Sequence, residues 1–231
     1  MLTTDISVCR TGPLGVNTLI VPLCPGYVFM ADPGGDAGLI DSLLKRQAVV
    51  PAFIVCTHGH FDHVLGLGEL LSRYPGTPVA AGVYETGYFG SEGAERQRAD
   101  LHALGLDDMI PALADLPPVT VPLADGAALD CAVRPDAPAA VKTAAARWSV
   151  LHTPGHSAGG VCLYNAGDAL LVAGDTLFYG GYGRTDLYGG DGRALRQSLR
   201  RLSLLPGSVR VYPGHGTAAF RLDENVLPAF F

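Results

Sequence analysis

Apolar residues in this chain come in short, mostly continuous runs, at 16–21, 27–31, 49–56, 78–81, 148–151, 161–164, 169–173 and 209–212, most of them cut off by glycine, proline, aspartate or asparagine. Apolar runs of this length, bounded by turn formers, read as buried strands. Residues 36–47 follow the turn Asp32-Pro33-Gly34-Gly35 and read as a helix. Residues 64–74 set Leu65, Leu70 and Leu71 among Glu69 and Arg73, which suits an amphipathic helix. Residues 82–110 mix glycine and charge with helical spacing, Leu101, Leu104, Met109 and Ile110 falling on one face. By contrast, 111–130 are proline-rich and irregular with a turn at Asp125-Gly126. Residues 134–147, largely an alanine tract, read as an exposed connection with no core-forming pattern.

The 231 residues suffice for one domain, 1–231, with a core of its own. No apolar span approaches the roughly 18 residues of a membrane helix, so no membrane partner is expected. Met1-Leu2-Thr3-Thr4-Asp5 has neither the basic start nor the apolar centre of a secretory signal, which points to a cytoplasmic protein. A net charge of -6, with Lys and Arg dispersed apart from short clusters such as 193–201, argues against a nucleic-acid partner. The expected partner is a small-molecule substrate; the sequence leaves the oligomeric state open. Five scattered cysteines, none in a C-x-x-C pair, fit neither a disulfide framework nor a zinc knuckle, and Cys9, Cys56 and Cys162 sit in apolar runs as core residues.

The chemistry concentrates in Thr57-His58-Gly59-His60-Phe61-Asp62-His63, between the 49–56 strand and the 64–74 helix. His58 and His60 leave an extended chain on the same side, while Asp62 and His63 fall in the first helical turn, where a carboxylate is electrostatically welcome. The pattern then recurs: Thr153-Pro154-Gly155-His156, Gly174-Asp175 and Pro213-Gly214-His215 each follow an apolar run. Ligands gathered at strand ends from separate parts of the chain are how an α/β scaffold holds a rigid site beneath its loops. His102 reads as a surface or packing residue, and His152, inside its strand, as a core histidine or one that supports a ligand. Gly34-Gly35 reads as a turn, since the phosphate-loop pattern is absent.

Imidazoles and carboxylates without thiolate suit zinc, iron or manganese. Seven candidates exceed what one catalytic ion uses, so two divalent ions are expected, zinc foremost. The natural division gives His58, His60 and His156 to one and Asp62, His63 and His215 to the other, with Asp175 bridging. A water between two such ions ionises near neutrality, and the resulting bridging hydroxide is a nucleophile that makes a serine nucleophile unnecessary. Asp62 and Asp175 are the candidate catalytic carboxylates.

The set H-x-H-x-D-H at 58–63 with His156, Asp175 and His215 resembles the metallo-β-lactamase superfamily, from about Val16 onward. That resemblance implies an αββα sandwich of two mixed β-sheets with helices on the outer faces and a metal site at one sheet edge. Thr153-Pro154-Gly155-His156-Ser157, Gly174-Asp175-Thr176-Leu177-Phe178, Gly183-Arg184-Thr185-Asp186-Leu187 and Tyr212-Pro213-Gly214-His215-Gly216 look like the glyoxalase II, or hydroxyacylglutathione hydrolase, branch. Asp175 in place of a cysteine separates the chain from typical antibiotic-destroying members. The longer enzymes carry a C-terminal helical region with glutathione contacts; this chain is similar to compact bacterial glyoxalase II-like hydrolases. By position, Arg184 is a candidate grip on a substrate carboxylate, or else an ion-pair partner of Asp186, and Tyr182 a candidate pocket wall. The implied activity is hydrolysis of a small thioester such as S-lactoylglutathione. The alternatives are a mononuclear iron persulfide dioxygenase, or a lactonase or esterase on the same fold.

Overall fold

A computed structural model describes residues 5–113 and 116–225; Met1 to Thr4, read above for a secretory signal, lie outside the described residues. Strands β1 (Ser7–Thr11), β2 (Val16–Cys24) and β3 (Tyr27–Ala31) form an antiparallel meander. Helix α1 (Ala37–Gln47) crosses to β4 (Val50–Cys56), helices α2 (Phe61–Val64) and α3 (Leu67–Arg73) lead to β5 (Val79–Gly82), and α4 (Gly90–Ala103) precedes β6 (Val121–Leu123). From β3 onward each strand joins in parallel, giving the order β1-β2-β3-β4-β5-β6. After helix α5 (Ala139–Ala145) the second sheet begins: β7 (Ser149–His152), β8 (Val161–Asn165) and β9 (Leu170–Gly174) pair antiparallel. Helix α6 (Gly192–Leu202) then crosses to β10 (Arg210–Pro213), parallel to β9 and edged by β11 (Phe220–Arg221). Both sheets are therefore mixed, as the αββα expectation requires.

The apolar runs of the central strands follow from burial on both of their faces. Leu19, Phe29, Phe53 and Val55 turn inward to meet Val150, Leu163, Val172 and Tyr212 of the other sheet. The alternate residues Ile20, Val28, Met30, Ile54 and Cys56 lie beneath Ile40 and Leu44 of α1, Leu67 and Leu70 of α3 and Leu101 of α4. On the far side, Cys162, Leu171 and Val211 pack under Leu195, Leu199 and Leu202 of α6. The basic cluster at 193–201 is the outer face of that helix. Its first turn is capped by Asp191, which accepts the backbone N–H groups of Arg193 at 2.7 Å and Ala194 at 3.1 Å.

Several elements differ from the sequence expectation. Residues 134–147 are not a bare exposed connection: α5 lies within them and buries Val141 and Ala145 between the sheets with Trp148. Alanine's high helix propensity builds this element without the large apolar periodicity that announces a helix. The helix expected over 64–74 is two, broken at Leu65-Gly66, where the Gly66 N–H donates to the Pro33 carbonyl at 2.8 Å. Strands β1, β6 and β11 are edge or short strands, and periodicity does not mark them. Cys9, Cys56 and Cys162 are buried. His102 is exposed, its Nδ1 2.9 Å from Asp107 Oδ1. His152 is not a core residue: it sits half-buried at the end of β7, its Nε2 3.1 Å from the Ala158 carbonyl. No helix of the described residues is long and apolar enough to cross a membrane.

Candidate metal centre

The seven residues singled out from the sequence converge at one edge of the sandwich, on loops leaving β4, β7, β9 and β10. His60 keeps an extended backbone as the N-cap of α2, so His58 and His60 still share a side, while Asp62 and His63 ride the first helical turn. The strand, glycine, ligand pattern has a steric cause at Gly214: a Cβ there would collide with the Asp175 carboxylate and the His63 ring.

One group of donors is His58, His60 and His156 and another is Asp62, His63 and His215, and a third trio, His58, His63 and Asp175, overlaps both. In the first, His156 Nε2 lies 3.2 Å from His58 Nε2 and 2.9 Å from His60 Nδ1. In the second, His215 Nε2 lies 3.2 Å from His63 Nε2 and 3.1 Å from Asp62 Oδ2. Donors held tetrahedrally at about 2.0–2.1 Å from one cation stand about 3.3 Å apart, so both spacings suit a divalent ion. Asp175 lies between the groups, its Oδ2 3.7 Å from His156 Nε2 and 3.6 Å from His215 Nε2, its Oδ1 3.4 Å from His63 Nε2. Several neutral imidazoles with lone pairs turned on one another cannot all be satisfied by sharing protons. This donor set therefore fits a pair of hard or borderline cations.

The electrostatics separate the two groups. Burial pushes the His58 imidazolium well down, and the neighbouring histidines add to the effect. Burial and His156 hold His60 down to about 3, and His156 is lowered mainly by burial. These three are neutral near pH 7, with lone pairs free to ligate. His63 goes the other way: burial works to lower it, but the Asp175, Asp62 and Asp32 carboxylates outweigh that and raise it well above the ordinary value. His215 is also raised, burial being outweighed by Asp62 and Asp175. Burial likewise opposes ionisation of Asp62 and Asp175, yet His63, chief among the surrounding imidazoles, leaves both below the usual carboxylate range.

Around the ligands lies a layer that the sequence reading missed. Asp32, buried and held at φ 52 at the end of β3, accepts from the Thr57 N–H and hydroxyl, both at 2.7 Å, and its Oδ2 lies 3.0 Å from His63 Nδ1. The Thr57 hydroxyl is also 3.1 Å from His58 Nδ1, and the Arg184 carbonyl lies 2.8 Å from His156 Nδ1. Partners of this kind fix the tautomer and aim of a ligating imidazole. Asp32 carried a usable signal, an aspartate at a strand end like Asp175. Glu85 carried none: it accepts the Gly59 N–H at 2.8 Å and the Gly159 N–H at 2.7 Å, partners brought to it only by tertiary structure.

A cavity of about 120 Å³ opens onto both groups and is lined also by Leu14, Phe61, Leu104, Leu187, Asp100 and Arg184. The Arg184 guanidinium makes a two-pronged pair with Asp186, both contacts at 2.7 Å. Tyr182, expected as a pocket wall, is not among the residues lining this cavity and packs with the cluster between α6 and the second sheet.

Comparisons with known proteins agree with this geometry. A family model described as the metallo-β-lactamase superfamily matches residues 11–215. The Bacillus subtilis (strain 168) protein named "Probable metallo-hydrolase YqgX" is 31% identical over 215 residues, covering 93% of this chain and 91% of that protein. The hydroxyacylglutathione hydrolase of Ectopseudomonas mendocina is 32% identical over 186 residues, covering 80% of this chain but 55% of the longer enzyme. Among solved structures, TTHA1623 in a di-iron-bound form superposes with a TM-score of 0.75 at 32% identity, over 94% of this chain and 96% of that one. With the family model spanning the fold from β1 to His215, the chain belongs to the metallo-β-lactamase superfamily.

Proposed function

We propose that the protein is a dinuclear metal-dependent hydrolase of small thioesters, with S-lactoylglutathione as the type substrate. The observation that carries this reading is the complete second donor group, Asp62, His63 and His215, beside His58, His60 and His156, with Asp175 in reach of both. A mononuclear iron site would leave that second group without a task.

His58, His60 and His156 would hold one ion, Asp62, His63 and His215 the other, and Asp175 both; zinc, iron and manganese all suit the donors. When bound, such a pair supplies Lewis acidity toward the thioester carbonyl and lowers the pKa of a water held between the ions to about 7. Everything else falls to the chain. The neutral imidazoles of the first group bind without first losing a proton. Asp62 and Asp175, held ionised, set the charge of the site and offer acceptors that orient the attacking water. The apolar wall of Leu14, Phe61, Leu104 and Leu187 keeps bulk water off the acyl group.

Two features favour a thioester with a short acyl group. The cavity, about 120 Å³, is well below the roughly 300 Å³ at which ordinary ligand pockets begin, so the carrier lies at its mouth near Arg184. The leaving thiol, with a pKa of about 8.5, departs as thiolate without a dedicated proton donor. The relatives named hydroxyacylglutathione hydrolase support the same chemistry, and the di-iron-bound neighbour supports a two-ion site in this fold.

The test is steady-state hydrolysis of S-lactoylglutathione by metal-loaded protein, with a lactone and a persulfide in parallel. Metal-dependent thioester cleavage is expected. Turnover no better than metal-free controls would reject the thioesterase. Preferential ring opening would support the lactonase, and oxygen uptake on the persulfide with one iron per chain the dioxygenase.

A further inference from the structure

Glu85 sits in a turn after β5, outside every segment that supplies a ligand, and is wholly buried. Its Oε2 accepts the N–H of Gly59, the residue between His58 and His60, at 2.8 Å, and its Oε1 accepts the N–H of Gly159, three residues after His156, at 2.7 Å. The other side of the first loop is gripped by Gln97 of α4, whose side-chain amide donates to the Gly59 carbonyl at 2.5 Å. Thus the two loops bearing all of His58, His60 and His156 are tied together through one carboxylate. Asp32 lies beneath both groups: its Oδ2 accepts the hydroxyl of Thr57, which is 3.1 Å from His58 Nδ1, and stands 3.0 Å from His63 Nδ1.

We propose that Glu85 is the positioning residue for one ion site only, clamping the His58-Gly59-His60 and His156–Gly159 loops so that their imidazoles converge. This rests on the two-ion reading above. A buried carboxylate suits the task because it accepts two backbone N–H groups at once, each through a charge-assisted bond. Glutamine cannot replace it: its oxygen accepts one N–H, and its amide turns a donor toward the other, leaving a buried donor unsatisfied. A merely structural role would loosen the whole fold, whereas a clamp on one loop pair weakens one ion and spares its neighbour.

The experiment is a Zn²⁺ competition titration of the full chain against a chromophoric chelator, with zinc stoichiometry and the unfolding midpoint of the metal-free protein measured alongside. Wild type is expected to hold two ions per chain. Glu85→Gln is expected to keep one with near-normal affinity and weaken the other by about 10- to 100-fold, as loss of a ligand's supporting partner does. Combined with His156→Ala, Glu85→Gln should add nothing further, whereas combined with His215→Ala the losses should add. Should Glu85→Gln not fold, Gln97→Leu, which frees the same loop from its other side, is expected to weaken the same single ion. Equal weakening of both ions, unaltered affinities, or additivity with His156→Ala would overturn the assignment. Wild-type protein that takes up no zinc, iron or manganese would overturn the two-ion reading itself and the clamp with it.

Discussion

The two halves of the site are built by different rules. Residues 57–63 deliver four ligands from one strand end and a single helical turn, so local backbone geometry gathers them. His156, Asp175 and His215 come from three loops after three strands, and they meet only because β7, β8, β9 and β10 lie side by side in the second sheet. The first half is gathered locally and then tied down by Glu85, Gln97 and Asp32 from distant segments; the second depends on sheet register and on Gly214 leaving room for Asp175 and His63.

Perturbations of the second half should therefore cost most. Asp175→Ala is expected to cut thioester turnover by at least about a thousandfold, since it removes the one carboxylate in reach of both groups, while far-UV circular dichroism stays that of the wild type. Near-normal turnover in this variant would detach Asp175 from the chemistry. In the first half, Asp32→Asn, which keeps the shape but weakens the acceptor facing His63 Nδ1 and Thr57, should cost less, lowering metal affinity by about 10- to 100-fold in chelator competition.

Acid and base should act on the metal-free site through different groups. Asp62 and Asp175 have folded-state pKa values below those of the unfolded chain. They stabilise the metal-free fold above the ordinary carboxylate pKa of about 4, and that contribution is lost as pH falls through the depressed folded values. His63, raised by the same carboxylates after burial is overcome, contributes fully below about 6.5 and loses its contribution as pH rises through its higher folded pKa. Urea midpoints of the metal-free protein should thus fall on both sides of neutrality, and a flat profile would contradict the coupling.

Away from the site, Val141→Ala in α5 should cost about 2 kcal/mol by leaving a cavity between the sheets, read from a urea midpoint, with ion binding unchanged. The smallest effect is expected at the exposed Arg184–Asp186 pair. Arg184→Met should raise KM for S-lactoylglutathione less than about fivefold and leave kcat unaltered, since such pairs contribute under about 1 kcal/mol.

This contrast also explains what the amino-acid sequence disclosed. Strands buried on both faces leave mostly continuous apolar runs, so the two-sheet core was legible, and ligands after glycine at strand ends stood out against it. The alanine helix α5, the short edge strands β1, β6 and β11, and the break at Leu65-Gly66 leave no periodic trace, because tertiary packing rather than local pattern defines them. Among the supporting residues, Asp32 shares the strand-end context of the ligands and could have been found. Glu85 and Gln97 act through bonds to the backbone of loops far along the chain, and no spacing predicts such bonds.

The most direct test of the account is the number of metal ions per chain in wild-type protein and in His215→Ala, measured by elemental analysis after loading and desalting. Two in the wild type and one in the variant are predicted. A single ion in both, retained without His215, would contradict a site shared between the two halves.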